Sequence, residues 1–237
     1  MSHRDEYSQW PFLTEEEFEL ACAFLDSRYT KAKLGPVRKG FKLRSRRTAT
    51  TGATSIEILR LLNVSSDDGD LSELLDQLWD RRADGASASD MEVDMPNEDQ
   101  DNEVLLSNTD TPPQYSMYAH QPYVVYEIHL HPTYRVPTLW FTLHDLPMAE
   151  PTFDLNSVFR YLVPDEHKAQ LRAAGVTGGI SAAPHPITDL PSFFIHPCQT
   201  KEAMEPFDCE AKDYLMVWLG LVGGCVGLWV PRELAET

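Results

Sequence analysis

The sequence lacks the features of a secreted or disulfide-bonded protein. Its opening residues, MSHRDEYSQW, are polar and contain no apolar run, so no secretory signal is visible and we expect a cytoplasmic protein. Only four cysteines are present, and no two of them form a C-x-x-C pair. They are Cys22, Cys198, Cys209 and Cys225. We therefore expect neither disulfides nor a structural zinc framework, and we expect no cofactor.

Long apolar runs are also few. The longest candidate, residues 214–230, is seventeen uncharged residues with Gly220 and Gly224 in G-x-x-x-G spacing, which is short for a membrane-spanning helix. A core helix over residues 211–222, stopped by Gly223 and Gly224, explains the glycines better. We therefore expect no transmembrane segment.

Positive charge is scarce, since 20 Lys and Arg residues accompany 37 Asp and Glu residues and give a formal net charge of −17. Residues 67–110 carry fifteen carboxylates and two arginines, which supply −13 of that charge. Residues 28–47 hold nine of the basic residues and no Asp or Glu. We expect no nucleic-acid partner, and we expect the basic block to face a partner or solvent.

The acidic middle of the chain differs in composition from both ends. Residues 48–117 are rich in Ser, Asp, Gly, Asn and Pro, with too little apolar surface to offset the entropy of ordering. We expect a largely disordered insertion within a single domain that spans residues 1–237. Two segments inside it, 56–62 and 71–82, have leucines at helical spacing. Each is either a docking helix or a fragment that covers the core.

Helix signals are clearest near the start of the chain. Thr14 and Glu17 form a capping box, and Leu13 and Phe18 form a hydrophobic staple, so a helix should begin here. Cys22 lies on its apolar stripe, and we interpret it as core packing. The sequence predicts further helices at 154–162, from 199 or 200, and at 211–222.

Strand signals follow the alternation of apolar and polar residues. The sequence predicts a first strand at Phe41 and Leu43 with a basic outer face, a hairpin of 123–130 and 139–143, and a short strand at 192–195. Residues 175–191 are rich in Gly and Pro, which predicts a long loop between elements.

Three motifs occur in order along the second half of the chain. They are YRVPTLWF at 134–141, HPITDLPSFFIHPC at 185–198, and YLMVWLGLVGGCVGLWVP at 214–231. Together they resemble the autophagy-related protein 10 family of ubiquitin-like-conjugating enzymes, whose closing pattern is W-L-x-x-V-G-x-x-V-G-L-x-x-P. The lipid-conjugating autophagy-related protein 3 family also has His-Pro-Cys at its centre, but its hairpin and ending differ.

The resemblance implies a fold, a reaction and a set of partners. The fold is α+β, a ubiquitin-conjugating-enzyme-like core with an antiparallel sheet flanked by helices. The enzyme accepts ubiquitin-like autophagy-related protein 12 from the activating enzyme, autophagy-related protein 7, as a thioester on Cys198. It then transfers this protein to a lysine of autophagy-related protein 5, in the cytoplasm and transiently at the pre-autophagosomal membrane.

The chemistry explains why the resemblance centres on a cysteine. A thioester carries an acyl group through water yet yields to a lysine amine, and Pro197 should end the strand and hold Cys198 outward. His196 invites interpretation as a base, but neighbours in extended chain point apart, so a structural hydrogen bond is favoured. By the resemblance Tyr134 assists, and Thr200 either places a polar group nearby or caps the helix.

Two other readings of the sequence stay open. His129 and His131 have the i, i+2 spacing of zinc ligands, which would suit a metal-dependent hydrolase, although two histidines on a solvated strand face are the ordinary explanation. A non-catalytic binding module would instead bury Cys198 as packing. A Cys198→Ser substitution separates an enzyme from such a module.

Overall fold

The computed structural model of the protein describes residues 6–49, 51–62, 70–83, 121–147 and 150–236. These residues form an α+β fold whose six strands make one antiparallel sheet in the order β1-β2-β3-β4-β6-β5. The strands are β1 Phe41–Arg47, β2 Thr54–Leu61, β3 Tyr123–Leu130, β4 Pro137–His144, β5 Ile180–Pro184 and β6 Pro191–Ile195. The predicted fold class is therefore confirmed.

Seven α-helices lie among the described residues, together with four 3-10 turns. The helices are α1 Glu15–Lys31, α2 Asp70–Ala83, α3 Leu155–Tyr161, α4 Asp165–Gly178, α5 Thr200–Met204, α6 Tyr214–Val222 and α7 Arg232–Ala235. The turns are Gly35–Lys39, Pro197–Gln199, Ala211–Asp213 and Gly223–Val226. The predicted helices near residues 154, 200 and 211 are all present, with ends that differ by a few residues.

Helix α1 begins as its sequence predicts. The Thr14 hydroxyl accepts the Glu17 N–H at 3.1 Å, and the Glu17 carboxylate accepts the Thr14 N–H at 2.7 Å. Leu13 and Phe18, the staple pair, are buried, and so is Cys22. The buried face of α1 packs on β1, β2 and α6, so this helix closes the main core on the inner face of the sheet.

The predicted start of the acidic insertion at residue 48 is wrong. Residues 54–61 are β2, an interior strand that pairs with β1 and β3. Ile56 and Ile58 belong to the main core, whereas Leu59 and Leu61 belong to a second apolar cluster. Because apolar residues on β2 face both sides of the sheet, the strand has little alternation, and its leucines imitate helical spacing.

Helix α2 supplies the cover for that second cluster. Its Leu75 is buried with Leu59, Leu61, Tyr123 and Val125 of the sheet. Of the two readings of segment 71–82, the fragment that covers the core is confirmed. Residues 84–120, which hold the rest of the predicted insertion, lie outside the described residues, so the single domain over 1–237 stays a prediction.

The basic face predicted for β1 is paired within the fold. Glu57 on the neighbouring strand is 1% exposed and bonds Arg44 and Arg46 of β1 and Arg82 of α2. Lys42 pairs with Asp76 of α2. A buried carboxylate requires such partners, because removing it from water without them costs roughly several kcal/mol. These basic side chains therefore pair with acidic groups on the outer face of the sheet.

The β3–β4 hairpin is confirmed, and the loop predicted at 175–191 is wrong. Within that loop lies β5, which pairs with β6 and forms one edge of the sheet. Short strands rich in Ala, Ser and Pro carry a weak apolar pattern, and pairing with β6 decides the conformation instead. Among the described residues, no helix is long and apolar enough to cross a membrane.

Candidate active site

The sheet register brings Cys198 to the β3–β4 turn. Trp140 and Phe141 of β4 pair with Phe194 and Phe193 of β6, and the rings of Trp140 and Phe194 stack at 4.6 Å. Because the two strands are antiparallel, each residue beyond Phe194 approaches the start of β4. The chain that leaves β6 therefore arrives beside the turn that joins β3 to β4.

The backbone changes direction at Cys198. Strand β6 ends at Ile195, and Pro197 opens a 3-10 turn that leads directly into α5. The fixed φ of proline suits the first position of such a turn, and its missing N–H leaves no donor unsatisfied. Cys198 is half-buried there, in contrast to Cys22, which is fully buried.

His196 holds this turn in place. Its Nδ1 atom accepts the Cys198 N–H at 3.2 Å, so the side chain acts as the cap of the turn. A neutral imidazole that accepts at Nδ1 carries its proton on Nε2, an assignment made from the hydrogen bond. The Nδ1 lone pair is therefore occupied, which fits the structural hydrogen-bond role rather than that of a base.

Tyr134, in the β3–β4 turn, lies close to His196. It is 41% exposed, and its ring meets the His196 ring edge-on with a centroid distance of 5.9 Å. The structure thus brings together three of the four predicted site residues, Tyr134, His196 and Cys198. Thr200, the fourth, is the first residue of α5 and is buried, with its N–H donated to the Pro197 carbonyl.

Sequence reasoning favoured a structural hydrogen bond for His196 but missed the same role at His131 and His185, which also precede proline. His131 accepts the N–H groups of Thr133 and Tyr134 at 3.2 Å, and His185 accepts those of Ile187 and Thr188 at 3.4 Å, all through Nδ1. His196 does the same for Cys198. The three His-Pro pairs in the sequence are the signal that could have revealed these caps, because proline fixes the turn that lets Nδ1 reach forward.

The other three thiols suit catalysis less well. Burial raises the pKa of Cys22, and Cys22 is fully buried. Burial raises the pKa of Cys209 to about 11, and the nearby carboxylates of Asp213 and Asp208 add to the shift. Burial raises the pKa of Cys225 to about 11, and its thiol donates to the Val222 carbonyl at 3.0 Å. All three stay protonated at neutral pH, when the thiolate is the reactive form.

A cleft opens one residue beyond Cys198. Its volume is about 380 Å³, and Gln199, the residue after Cys198, forms part of its wall. Helices α4 and α6 and the exposed Trp229 supply the rest, with Gly220 and Gly224 on the α6 side. Space is open at Gly220, whereas the Trp229 ring fills the place that a side chain at Gly224 would take.

Within the part of the chain that the structure describes, one group of side chains could hold a metal ion. Glu127, His129 and His185 place one ligand atom each within 4.8 Å of one another. The Glu127 Oε2 atom lies 3.1 Å from His129 Nε2 and 3.5 Å from His185 Nε2. His131 is not part of this group, so the structure does not support the alternative reading that joins His129 and His131 as zinc ligands. Its ring instead contacts Tyr134.

The proton position on His185 argues against a metal centre at this cluster. Because His185 Nδ1 accepts two N–H groups, its proton belongs on Nε2, the atom that a metal would require unprotonated. Burial opposes ionisation of Glu127, but the hydrogen bond from His129 and the charges of His129, His185 and Arg82 lower its pKa to about 2. An ionised Glu127 accepts a hydrogen bond from His129 and attracts the Nε2–H of His185 across 3.5 Å, which links β3 to the β5–β6 connection.

Comparison with known proteins agrees with this geometry. Residues 17–233 match the family described as "Autophagocytosis associated protein, active-site domain". A protein from Gibberella zeae named ubiquitin-like-conjugating enzyme ATG10 is 48% identical over 235 residues, which cover 95% of this chain and 97% of that protein. The Homo sapiens protein of the same name is 32% identical over 110 residues, 44% of this chain and 48% of that protein.

The match extends over nearly the whole chain and includes the segment around Cys198. It favours the autophagy-related protein 10 resemblance over that to autophagy-related protein 3, and an enzyme over a binding module. The chain therefore belongs to the ATG10 family of ubiquitin-like-conjugating enzymes, E2-like transferases of autophagy.

Proposed function

We propose that Cys198 accepts autophagy-related protein 12 from the activating enzyme, autophagy-related protein 7, as a thioester and passes it to a lysine of autophagy-related protein 5. The observation that carries this proposal is a half-buried cysteine on a capped turn beside a cleft. The cysteine sulfur displaces the activating enzyme's thiol and is displaced in turn by the lysine amine.

The side chains around Cys198 have separate roles in this proposal. His196 fixes the backbone of Cys198 through the cap at Nδ1. Tyr134 supplies a hydroxyl donor to the oxyanion that forms when the amine attacks. Thr200, buried under the turn, supports the active segment from the start of α5. The Glu127 cluster has no part in the chemistry.

The cleft beside Gln199 gives the modifier a place to lie. Its wall includes Gly220, where space is open, and Trp229, which offers an exposed apolar surface. We propose that the reaction takes place in the cytoplasm, with the enzyme transiently at the pre-autophagosomal membrane.

A chase experiment tests the transfer step. The chain is charged with autophagy-related protein 12, charging is stopped with EDTA, and autophagy-related protein 5 is added. The reducible adduct should decay while a product resistant to reducing agent appears. In Tyr134→Phe, charging should persist while transfer slows about 10²-fold, the order expected when one oxyanion donor is lost.

Tyr161→Phe is the matched control, because Tyr161 lies on α3 and is not among the residues around Cys198. Its transfer should match that of the unchanged chain. An adduct that persists in the presence of the acceptor would contradict the proposed transfer. Equal rates in Tyr134→Phe and the unchanged chain would remove the hydroxyl from the mechanism while leaving the thioester in place.

A further inference from the structure

The β3–β4 turn is fixed at one end and capped at the other. Arg135 donates its N–H to the His131 carbonyl, and the Arg135 carbonyl accepts the Leu13 N–H, both at 2.8 Å, so this side of the turn is anchored to the base of α1. The other side, Thr133 and Tyr134, is held by the Nδ1 atom of His131. The position of the Tyr134 backbone therefore depends on one imidazole.

The same imidazole also contacts the tyrosine ring. The His131 and Tyr134 rings meet edge-on at 4.8 Å, and Tyr134 meets His196 at 5.9 Å, so the Tyr134 ring contacts both imidazoles. Burial and the nearby His196 lower the pKa of His131. It is thus neutral at pH 7 and keeps an Nδ1 lone pair to accept with.

We infer that His131 is a positioning residue that places the Tyr134 hydroxyl for the transfer step through its cap on the turn, with the ring contact in a lesser role. This inference rests on the proposed function, since it concerns the rate at which Cys198 releases its acyl group to an amine. Misplacing a catalytic group by about 1 Å lowers a rate substantially, so loss of the cap should slow transfer while charging continues.

Two substitutions separate the cap from the ring. His131→Phe keeps an aromatic ring and removes the acceptor. His131→Asn removes the ring but keeps an oxygen that accepts forward N–H groups in turns. We expect His131→Phe to lower the rate constant for transfer to free lysine about tenfold, equivalent to about 1.4 kcal/mol. His131→Asn should stay within about threefold of the unchanged chain.

A double-mutant cycle distinguishes positioning from general destabilisation. His131→Phe should cost about tenfold in the unchanged background and nothing further in Tyr134→Ala. His185→Phe is the matched control, because it removes the same kind of cap from a turn that does not include Tyr134. It should leave the transfer rate constant of the charged enzyme unchanged.

The outcomes are distinguishable. If Cys198 never charges in the unchanged chain, the proposed function fails. If charging succeeds and His131→Phe transfers at the unchanged rate, or if His131→Asn is as slow as His131→Phe, the inference on His131 fails. Should His131→Phe not fold, nitrogen NMR of the unchanged chain still decides. The inference requires an unprotonated Nδ1 on His131, and a proton found there overturns it.

Discussion

At the scale of single residues, neutral imidazoles accept backbone hydrogen bonds at turns, a role usually ascribed to Asn or Asp side chains. Each Nδ1 of His131, His185 and His196 satisfies backbone donors at a turn. The capacity to accept exists only while the ring is unprotonated, because His⁺ has two donors and no acceptor. Protonation therefore opposes the native turns directly.

Buried histidines make the fold sensitive to acid. Burial, followed by the charge of Arg82, lowers the pKa of His144 to about 4 from an ordinary value of 6.5, and burial also lowers the pKa of His185 and His131. As pH falls below about 6.5, the unfolded chain binds protons that the native chain does not. We predict that the free energy of unfolding falls between pH 6.5 and pH 4.

Urea denaturation at a series of pH values measures this slope. His144→Phe keeps an aromatic ring against Tyr123, with which His144 stacks at 4.7 Å, and removes the titrating group. Its stability should fall less steeply than that of the unchanged chain over the same range. Parallel curves for the two proteins would show that His144 does not contribute.

The sequence predicted the roles of single residues well where the signal lies in the residue itself and its near neighbours. Thr14 and Glu17 form the predicted capping box, and Cys22 is core packing as predicted. Ion pairs could not be predicted in the same way. Glu57 and Arg82 come together only when β2 and α2 pack against each other. The sequence shows their types but not their separation in space.

At the scale of elements, the closing motif is explained by the backbone at its glycines. Gly227 has a φ of +68°, and a Cβ added there would lie 2.6 Å from the Leu162 carbonyl oxygen. A Cβ on Gly223 would lie 2.5 Å from the Leu228 carbonyl oxygen. These are the two glycines of the V-G pairs, so the motif lets the chain fold back against α3 after α6.

Gly227→Ala should destabilise the protein by about 2 kcal/mol or more. A left-handed conformation costs an L-residue about 1 to 2 kcal/mol, and the close approach to the Leu162 carbonyl adds to it. Gly220→Ala is the matched control within α6, where an added Cβ meets no atom within 4 Å. It should be neutral or stabilise the helix by up to about 1 kcal/mol.

Thermal and urea unfolding of the two variants provides the comparison. A Gly227→Ala protein as stable as Gly220→Ala would mean that the chain after α6 relaxes without cost. The expected difference would instead tie the closing motif to packing against the end of α3.

Elements were predictable where their local signals agree. Helix α1 and the β3–β4 hairpin have caps, alternation or turn residues that point one way. Strand β2 imitates a helix because it is covered on both faces, and β5 is specified by its partner β6 rather than by its own composition. Helix α4 was not predicted at all, since its polar sequence gives little apolar periodicity.

At the scale of the whole molecule, the site depends on the order of strands in the sheet. Tyr134 and Cys198 are 64 positions apart, and they share a site because β6 inserts between β4 and β5. The motifs identified both residues through resemblance to a family. Their proximity follows from the register of β4 and β6, which sequence patterns do not encode.

The central claim is that the sulfur of Cys198 carries the modifier. The most direct measurement mixes the chain with autophagy-related protein 7, autophagy-related protein 12 and ATP, and compares gels with and without reducing agent. The unchanged chain and Cys209→Ser should form a reducible adduct, Cys198→Ser should form an adduct that resists reduction, and Cys198→Ala should form none. A reducible adduct on Cys198→Ala would contradict the account.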